Sequence, residues 1–376
     1  MYRTALWGEG RRSDETAKPR ALIAMSGGVD SSVAALEMIR RGYHCTGVTM
    51  KLYDNDDPDI SSRVCCSIDD VEDARQVCYS LGMPHYVMNF KEEFSCMVMD
   101  RFVQAYECGD TPNPCIDCNR YLKFAGLYDR AIQLECEVLV TGHYARIDYD
   151  PLKKRYLLKK SRNLLKDQSY VLAFLTQDIL AHTCFPLGEF RDKEEVRLLA
   201  AAHGFGNAEK HDSQDICFIP DGDYASFIKR RTGKEYPEGD FVDEEGHVLG
   251  RHKGLIRYTI GQRRGLGLAL PAPLYVRKKD MEKNQVILSP DSGLYQKELY
   301  ARDFNWISCE APKAPIKVTA KPRYRAPEAE AVADVLPDGI VRVVFEQPQR
   351  AITPGQTVVL YDGETVVGGG IIISSS

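Results

Sequence analysis

The sequence predicts an α/β protein in three parts: an N-terminal doubly wound parallel sheet, a small mixed or β central domain and a C-terminal β-barrel. Over residues 20–220, apolar strand-like runs alternate with helical runs, which is typical of an open parallel sheet with helices on both faces. Residues 221–296 hold one short helix and then β-rich sequence punctuated by Gly and Pro. Residues 297–376 consist of short alternating runs, and Asp-Gly turn signals at 338–339 and 362–363 favour a barrel.

The elements of the N-terminal part are assigned from their hydrophobic period. Apolar residues recurring every 3.6 positions predict helices, and short apolar runs predict buried strands. Ligands of open parallel sheets bind where loops leave the carboxyl ends of the strands, so these loops are the expected position of a site. The predicted strands are 20–26, 45–52, 84–90 and 137–145, and the predicted helices are 31–42, 69–82, 91–107 and 119–135.

Length and composition are typical of a globular protein. The chain has 376 residues, of which 44% are hydrophobic and 27% are charged. No apolar run approaches the roughly 18 residues that a membrane-spanning helix needs, so we expect no membrane association. Residues 1–19 lack the apolar core of a secretory signal and are predicted to be a disordered leader. The twelve cysteines are irregularly spaced and are interpreted as reduced thiols, which favours a cytoplasmic protein.

The distribution of charge points to a polyanionic partner. The formal net charge is −5, yet three stretches combine many Lys and Arg residues with no acid. Residues 153–166 carry seven such cations, and residues 251–264 and 313–325 carry five each. Any one of these stretches is most simply a solvated surface. Together they favour an RNA or DNA that is contacted by several domains.

The stretch SGGVDSS, residues 26–32, predicts a phosphate-binding turn. It follows the first strand and opens the first helix, where two glycines allow a tight turn and the helix N-terminus favours an anion. A plain strand–turn–helix junction with a Ser or Asp cap is the simpler reading, but such a junction needs neither two glycines nor two serines. The pattern GxxxxGK[ST] is absent from the sequence, which excludes a Walker-type loop.

Several motifs place the chain among known families. SGGVDSS resembles the PP-loop of the ATP pyrophosphatases, which adenylate a substrate oxygen and release pyrophosphate. Together with five further motifs, in this order along the chain, it resembles the tRNA-specific 2-thiouridylase (MnmA) family from about residue 20 to the C-terminus. These motifs are TPNPCIDCNRYLKF (111–124), TGHYAR (141–146), LLKDQSYVL (164–172), SQDICFI (213–219) and YTIGQRRGLG (258–267).

The resemblance implies an ATP-dependent tRNA-uridine 2-sulfurtransferase of the bacterial cytoplasm. Such an enzyme acts on the wobble uridine, U34, of the tRNAs for Lys, Glu and Gln and forms AMP and pyrophosphate. ATP with Mg²⁺ adenylates the C2 oxygen, and sulfur then arrives from a persulfide on Cys217 with Cys118 as its partner thiol. Two thiols are required because releasing the terminal sulfur of a persulfide leaves the other sulfur to form a disulfide.

The resemblance also implies a set of site residues. Met50 has a simpler reading as a core methionine, and His143 as a structural histidine at a strand end. Asn113, Pro114 and Cys115 would face the target base. The ATP site would be lined by Ala24, Met25, Ser26, Gly27, Gly28, Val29, Asp30, Ser31, Met50 and Gly142. The tRNA would be contacted by His143, Lys166, Asp167, Gln168, Arg323, Tyr324 and Gln356.

Cys115 departs from the family pattern. Many members have an aspartate at this position, so a carboxylate role cannot be transferred to this chain. Cys115, Cys118 and Cys217 form a possible set of three thiolates, which could hold a [4Fe–4S] cluster with one iron open to bind sulfide. Sulfur transfer through such a cluster is the alternative route. A four-ligand zinc site is not expected, because no second CxxC motif follows Cys118 in the sequence.

Two functions of other classes remain open on the residues alone. One is a PP-loop ligase or amidotransferase that acts on a small metabolite, and the other is a non-catalytic RNA-binding protein with a metal-bound cysteine loop. The family resemblance further implies a cysteine desulfurase or a sulfur-relay protein as sulfur donor. We expect the protein to be a monomer.

Overall fold

The computed structural model describes residues 18–53, 68–210 and 216–376. The predicted leader lies outside these residues except for its last two, and so do Cys65 and Cys66. None of the described helices has the length and apolar character that a membrane-spanning segment requires. The largest apolar cluster takes residues from the N-terminal sheet, the central part and the barrel, so the three parts share a continuous core.

The N-terminal part is built on a five-stranded parallel sheet in the order β3-β2-β1-β4-β7. Leu22 belongs to one apolar cluster, whereas Ala21 and Ile23 belong to another, so both faces of the central strand are buried. The predicted doubly wound sheet is confirmed. β7 was not predicted, since two residues are too few to form a pattern. The strands are β1 Arg20–Ala24, β2 His44–Lys51, β3 His85–Asn89, β4 Val138–Val140 and β7 Thr183–Cys184.

Helices cover both faces of this sheet. One face carries helices Val29–Arg40, Ile68–Ser80 and Lys193–Ala202, whose apolar residues join the cluster of Ala21 and Ile23. The other face carries two long helices, 91–107 and 114–133, whose apolar residues join the cluster of Leu22. Helix 91–107 includes a π-helical turn, Ser95–Asp100. A further short helix, Gln177–Ala181, and the 3₁₀ turns Ser169–Leu172 and Pro186–Glu189 follow β4.

The helix at residues 114–133, called here the cysteine helix, begins five residues earlier than predicted. Asn113 caps it by accepting a hydrogen bond from the Cys115 amide at 3.1 Å, and Pro114 is its first residue. Proline is favoured at a first helical position because its missing N–H has no partner there in any case. The segment Cys118–Gly126 is π-helical, and such turns are frequent at functional sites.

The central part has a small mixed sheet and one helix, Tyr224–Thr232, whose apolar residues join the cluster of Leu22. Its strands are β8 Gly239–Val242, β9 Val248–His252, β10 Tyr275–Asp280 and β11 Gln285–Ser289. They are ordered β10-β11-β8-β9, and β11 pairs with β8 in parallel while the other pairs are antiparallel. This agrees with the predicted mixed or β central domain.

The C-terminal part is a closed barrel. Six strands pair around a ring in the order β12-β15-β14-β13-β16-β17, and β17 returns to pair with β12. The Asp-Gly turns at 338–339 and 362–363 join neighbouring strands, as predicted. The strands are β12 Tyr295–Trp306, β13 Ile316–Lys321, β14 Ala329–Val335, β15 Val341–Arg350, β16 Thr357–Asp362 and β17 Thr365–Ser375.

A hairpin from the N-terminal part extends the barrel sheet. Its strands are β5 Ala145–Asp150 and β6 Arg155–Lys160, and β6 pairs with β17 at Lys159 and Thr365. Arg155 strengthens the junction by donating to the carbonyls of Trp306 and Ile307 at 3.0 and 2.9 Å. The sequence indicated a basic surface here and gave no sign of a sheet shared between domains.

Lys279 lies where the three parts meet. Only 8% of this residue is exposed, and its ammonium makes no hydrogen bond to a described residue. Burial lowers the pKa of Lys279 to about 8, with the charge of Asp110 opposing the shift. The Tyr106 ring lies 5.8 Å from the Lys279 ammonium. The protein therefore holds a poorly solvated cation beside the segment that leads to the cysteine helix.

We expect the variant Lys279→Met to lose stability relative to the wild type as the pH rises. The folded-state pKa of Lys279 is about 8, and that of an unfolded lysine is about 10.4. Between these values the unfolded state binds more protons, so the wild type gains stability with rising pH and the variant lacks this gain. From about pH 7 to 10, the free energy of unfolding of the variant minus that of the wild type should fall by about 2 kcal/mol, measured by urea unfolding.

Lys278→Met is the matched control, because Lys278 is the exposed neighbour on the same strand. Its stability difference from the wild type should be nearly the same at both pH values. If the stability difference between Lys279→Met and the wild type were also the same at both pH values, the buried ammonium would have an ordinary pKa.

Candidate active site

The turn between β1 and the first helix is fixed by its own residues. Gly27 has a φ of +73°, and a Cβ at this position would clash with the carbonyl of Asp70, so glycine is required. The Ser31 hydroxyl donates to the Gly28 carbonyl at 2.8 Å, and the Ser26 amide donates to that hydroxyl at 3.2 Å. The turn therefore presents the N-terminus of a 12-residue helix, where free backbone amides and the helix dipole favour an anion.

Asp30, in the first turn of that helix, is bound by two side chains from distant segments. Lys193 donates to both carboxylate oxygens at 2.6 and 2.7 Å, and the Tyr144 hydroxyl donates to one of them at 2.8 Å. The Lys193 side chain is only 11% exposed. Neither Lys193 nor Tyr144 was identified from the sequence, because more than a hundred residues separate each of them from Asp30 and neither belongs to a charge or glycine pattern.

Two further side chains, those of Asn207 and Lys210, stabilise the turn. Asn207 donates to the Gly27 carbonyl and to the Ser32 hydroxyl, each at 2.9 Å. Lys210 bridges Asp70 and Asp73 at 2.6 Å each, so the beginning of the helix that covers Gly27 is held by a cation. These contacts were not predicted either.

The remaining residues predicted for the ATP site lie on and around this turn. Met25 and Val29 are buried, and Ala24 and Met50 are partly buried at the ends of β1 and β2. Gly142 lies two residues after β4, and a Cβ there would lie 2.9 Å from the Ser31 amide. The structure thus brings the predicted residues to the carboxyl end of neighbouring strands, the usual binding edge of such sheets.

The two cysteines of the TPNPC motif differ in environment. Cys115 is exposed, whereas Cys118, one turn further along the cysteine helix, is 8% exposed. Burial raises the pKa of the Cys118 thiol, and the positive charge of Lys123 only partly opposes this. Cys118 is therefore held as a protonated thiol in this state, which is the less nucleophilic form.

Cys217 lies in a tight turn that begins the link to the central part. The Ile219 amide donates to the Ile216 carbonyl at 2.8 Å. Phe218 is fully buried and packs edge-on against Phe94 and Phe102, with ring centroids 5.7 and 5.5 Å away. Cys217 is partly buried against the same apolar cluster that contains Cys118. Residues 213–215 of the SQDICFI motif lie outside the described residues.

The Lys166-Asp167-Gln168 segment connects the nucleotide turn to the barrel. Gln168 accepts a hydrogen bond from the Tyr144 amide at 2.9 Å. Asp167 accepts from the Ser169 hydroxyl at 2.7 Å, and its backbone carbonyl accepts from the Tyr324 hydroxyl at 3.3 Å. Burial raises the pKa of Asp167, although its hydrogen bond from Ser169 opposes the shift. Asp167 is thus a bound structural carboxyl group as well as a predicted RNA contact.

Gln356 holds the strand of chain that leads into the cysteine helix. Its amide group donates to the Thr111 carbonyl at 2.6 Å, and the Thr111 amide donates to the Pro354 carbonyl at 3.0 Å. The barrel therefore positions the segment just before Asn113. Nearby on the barrel, Arg323 donates to the Arg350 carbonyl at 3.4 Å.

His143 lies inside the protein. It is hydrogen-bonded through Nδ1 to the Thr141 hydroxyl at 2.7 Å and packs against the rings of Phe124 and Phe185. Burial lowers the pKa of His143 well below its ordinary value, and the charge of Lys123 adds to this effect. His143 is therefore neutral here, and a contact with tRNA would require this region to open.

Three family models match successive parts of the chain. The description tRNA methyl transferase HUP domain covers residues 19–221, which is more than half of the chain. The description tRNA methyl transferase PRC-barrel domain covers 225–290, and aminomethyltransferase beta-barrel domain covers 296–372.

Close relatives span nearly the whole chain. The tRNA-specific 2-thiouridylase MnmA of Acetivibrio thermocellus is 50% identical over 94% of this chain and 99% of its own. That of Symbiobacterium thermophilum is 50% identical over 94% of this chain and 92% of its own. Among solved structures, a 4-thiouridine synthetase–RNA complex with bound ATP is 18% identical, with a TM-score of 0.33 over 54% of this chain and 45% of that one, which is too slight a likeness to carry an argument. On its identity to the relatives, the chain belongs to the tRNA-specific 2-thiouridylase family.

Proposed function

We propose that the protein is an ATP-dependent tRNA-uridine 2-sulfurtransferase that thiolates the wobble uridine, U34, of the tRNAs for Lys, Glu and Gln. The observation that carries the proposal is the 50% identity to 2-thiouridylases over 94% of the chain, together with a glycine turn and two thiols, Cys118 and Cys217, in the N-terminal part. An adenylating site alone would serve a small-molecule ligase equally well. The thiol pair and the kinship with 2-thiouridylases favour sulfur transfer.

ATP is the first substrate, and the turn fits its phosphates. The amides at the start of helix Val29–Arg40 provide donors, and Gly27 and Gly142 keep the backbone free of side chains at its closest approaches. Mg²⁺ is commonly held by one or two carboxylates together with substrate phosphates. Asp30 would be the carboxylate for this role, and Lys193, which binds it, would help to balance the charge of the phosphates.

Adenylation makes the uridine C2 oxygen a leaving group. This oxygen attacks the α-phosphorus of ATP, and pyrophosphate departs. The target base must leave its stack to reach the site. The cap formed by Asn113 and Pro114 would receive it, because it begins the cysteine helix beside the exposed Cys115 and is held by Gln356 of the barrel through Thr111.

Sulfur transfer then uses the two thiols. The terminal sulfur of a Cys217 persulfide bonds to C2, and AMP leaves. The Cys118 thiolate attacks the Cys217 sulfur, the persulfide S–S bond breaks, and its electron pair stays with the sulfur on the base. The products are 2-thiouridine and a Cys118–Cys217 disulfide, which an external thiol reduces. A cysteine desulfurase or a sulfur-relay protein would supply the sulfur.

The cluster route has weaker support. It requires Cys115, Cys118 and Cys217 to bind as thiolates, and the exposed Cys115 is available for this role. The burial that raises the pKa of Cys118 favours its protonated form and thus opposes its use as a ligand. The three thiols therefore fit persulfide chemistry better than they fit a [4Fe–4S] cluster.

We also infer that the protein works as a monomer in the bacterial cytoplasm. The twelve cysteines are irregularly spaced, which is typical of reduced thiols in a reducing compartment. Size-exclusion chromatography with light scattering would test the oligomeric state.

Replacing the two thiols should separate sulfur transfer from adenylation. We expect Cys118→Ser and Cys217→Ser each to reduce thiolation of unmodified tRNA by more than about a thousandfold. Pyrophosphate release that depends on tRNA should persist for a single turnover, because adenylation needs neither thiol. Thiolation is measured with ATP and a persulfide donor, and pyrophosphate by a coupled assay.

Cys96→Ser is the matched control, because Cys96 is an exposed thiol on the neighbouring long helix, and it should keep full activity. Full activity in Cys217→Ser would overturn the sulfurtransferase proposal. Cys115→Ser decides between the routes: we expect activity within about fivefold of wild type, whereas complete loss, with a broad brown absorbance in anaerobically purified wild type, would favour the cluster.

Lys193 should matter for ATP binding although it is outside every sequence motif. Lys193→Met leaves the Asp30 carboxylate without its cation beside the expected position of the phosphates, so we expect the KM for ATP to rise about tenfold or more. Lys193→Arg, which keeps the charge, should show a smaller rise. Thermal unfolding of both variants separates this effect from misfolding. An unchanged KM for ATP in a folded Lys193→Met would contradict the assignment.

A further inference from the structure

The motif YTIGQRRGLG forms a braced turn in the central part. We call residues 261–267 the arginine turn. Gln262 fixes it, since its side chain accepts from the Thr259 amide and donates to the Arg264 carbonyl, each at 3.0 Å. The Gly261 amide donates to Val276 on β10 at 2.7 Å. The backbone of the turn is therefore held independently of its two arginine side chains.

Arg263 and Arg264 are exposed at the tip of this turn. In the part of the chain that the structure describes, no carboxylate pairs with either of them, although other arginines of the central part are paired. Arg251 pairs with Asp240, and Arg277 pairs with Glu244. Solubility alone does not require two adjacent unpaired arginines on a hydrogen-bonded turn. This arrangement therefore points to an anion from outside the chain.

The sequence around the turn contains no acid, and the turn is open to solvent. Residues 246–279 contain eight Lys and Arg residues and no Asp or Glu. A groove of about 420 Å³ lies along the turn and the segment that follows it, between Arg263 and Leu274. No described residue of this chain fills that space.

The arginine turn is continuous with the surface proposed to bind tRNA. A Cβ on Gly261 would lie 2.9 Å from Ala351, so the turn packs directly on the barrel beside Arg350. The Arg350 carbonyl accepts a hydrogen bond from Arg323. The next residue, Tyr324, contacts the Lys166-Asp167-Gln168 segment through its hydroxyl. The two arginines therefore lie on a continuous surface that runs from the central part to the region proposed to bind the target base.

We propose that the arginine turn is a tRNA-binding element of the central part, in which Arg263 and Arg264 bind backbone phosphates of the tRNA whose uridine is thiolated. This inference rests on the proposed function. Arginine forks match phosphate oxygens, and contacts of this type position the RNA without reading its sequence. The barrel and the N-terminal part would bind the same tRNA nearer to the target base.

The test compares binding of an unmodified tRNA-Glu transcript by the full-length protein and by the variant Arg263→Ala/Arg264→Ala. We expect the affinity at about 0.1 M salt to fall about tenfold, and the slope of log affinity against log salt to become shallower by about one per arginine. Arg263→Lys/Arg264→Lys, which keeps both charges, should restore most of the affinity. Circular dichroism and thermal unfolding should match the wild type, because both side chains are exposed.

Lys283→Ala/Lys297→Ala is the control for charge alone. These two exposed lysines lie outside the three basic stretches, and their loss should change affinity and slope much less. Equal losses in both double variants, or an unchanged affinity of Arg263→Ala/Arg264→Ala, would overturn the inference. A wild type that binds tRNA but never thiolates it would instead overturn the proposed function, so the two failures are distinguishable.

Discussion

The carboxylate of Asp30 connects the glycine turn to the rest of the molecule. It is bound by Lys193 and by Tyr144, and both come from segments that pack around the sheet edge. The Tyr144 backbone also binds Gln168, in a segment predicted to contact tRNA. Asp30 is therefore linked to the segment proposed to contact tRNA by two hydrogen bonds that meet at Tyr144.

The barrel holds the other side of the same arrangement. Gln356 fixes Thr111, just before the cysteine helix, and Tyr324 fixes Asp167. The segment proposed to face the target base is therefore positioned by the domain that is also proposed to bind the RNA. Burial keeps Cys118 protonated in this state, which would suit its proposed role as a thiol that acts only after the substrate has bound.

The sequence predicted the features that depend on the residue types of a short segment. The glycine turn, the parallel sheet and the barrel turns follow from local patterns, because strand period and turn residues are local properties. Lys193 and Asn207 could not be found in this way, since they act through contacts with residues more than 150 positions away. The start of the cysteine helix was missed for another reason: the Asn113-Pro114 pair is a helix cap and a first helical residue, and it was interpreted as a loop.

Whether a cation can bind an RNA depends on whether it is already paired with a carboxylate of the protein. The formal charge along the chain does not show this. Much of the basic stretch 153–166 is occupied internally, since Arg155 binds main-chain carbonyls of the barrel and Lys160 pairs with Glu328. Exposed ion pairs add little stability, but a nearby carboxylate weakens the field that a phosphate would experience. The arginine turn has no such carboxylate among the described residues. A protein of net charge −5 can therefore bind a polyanion through a few unpaired cations on rigid turns.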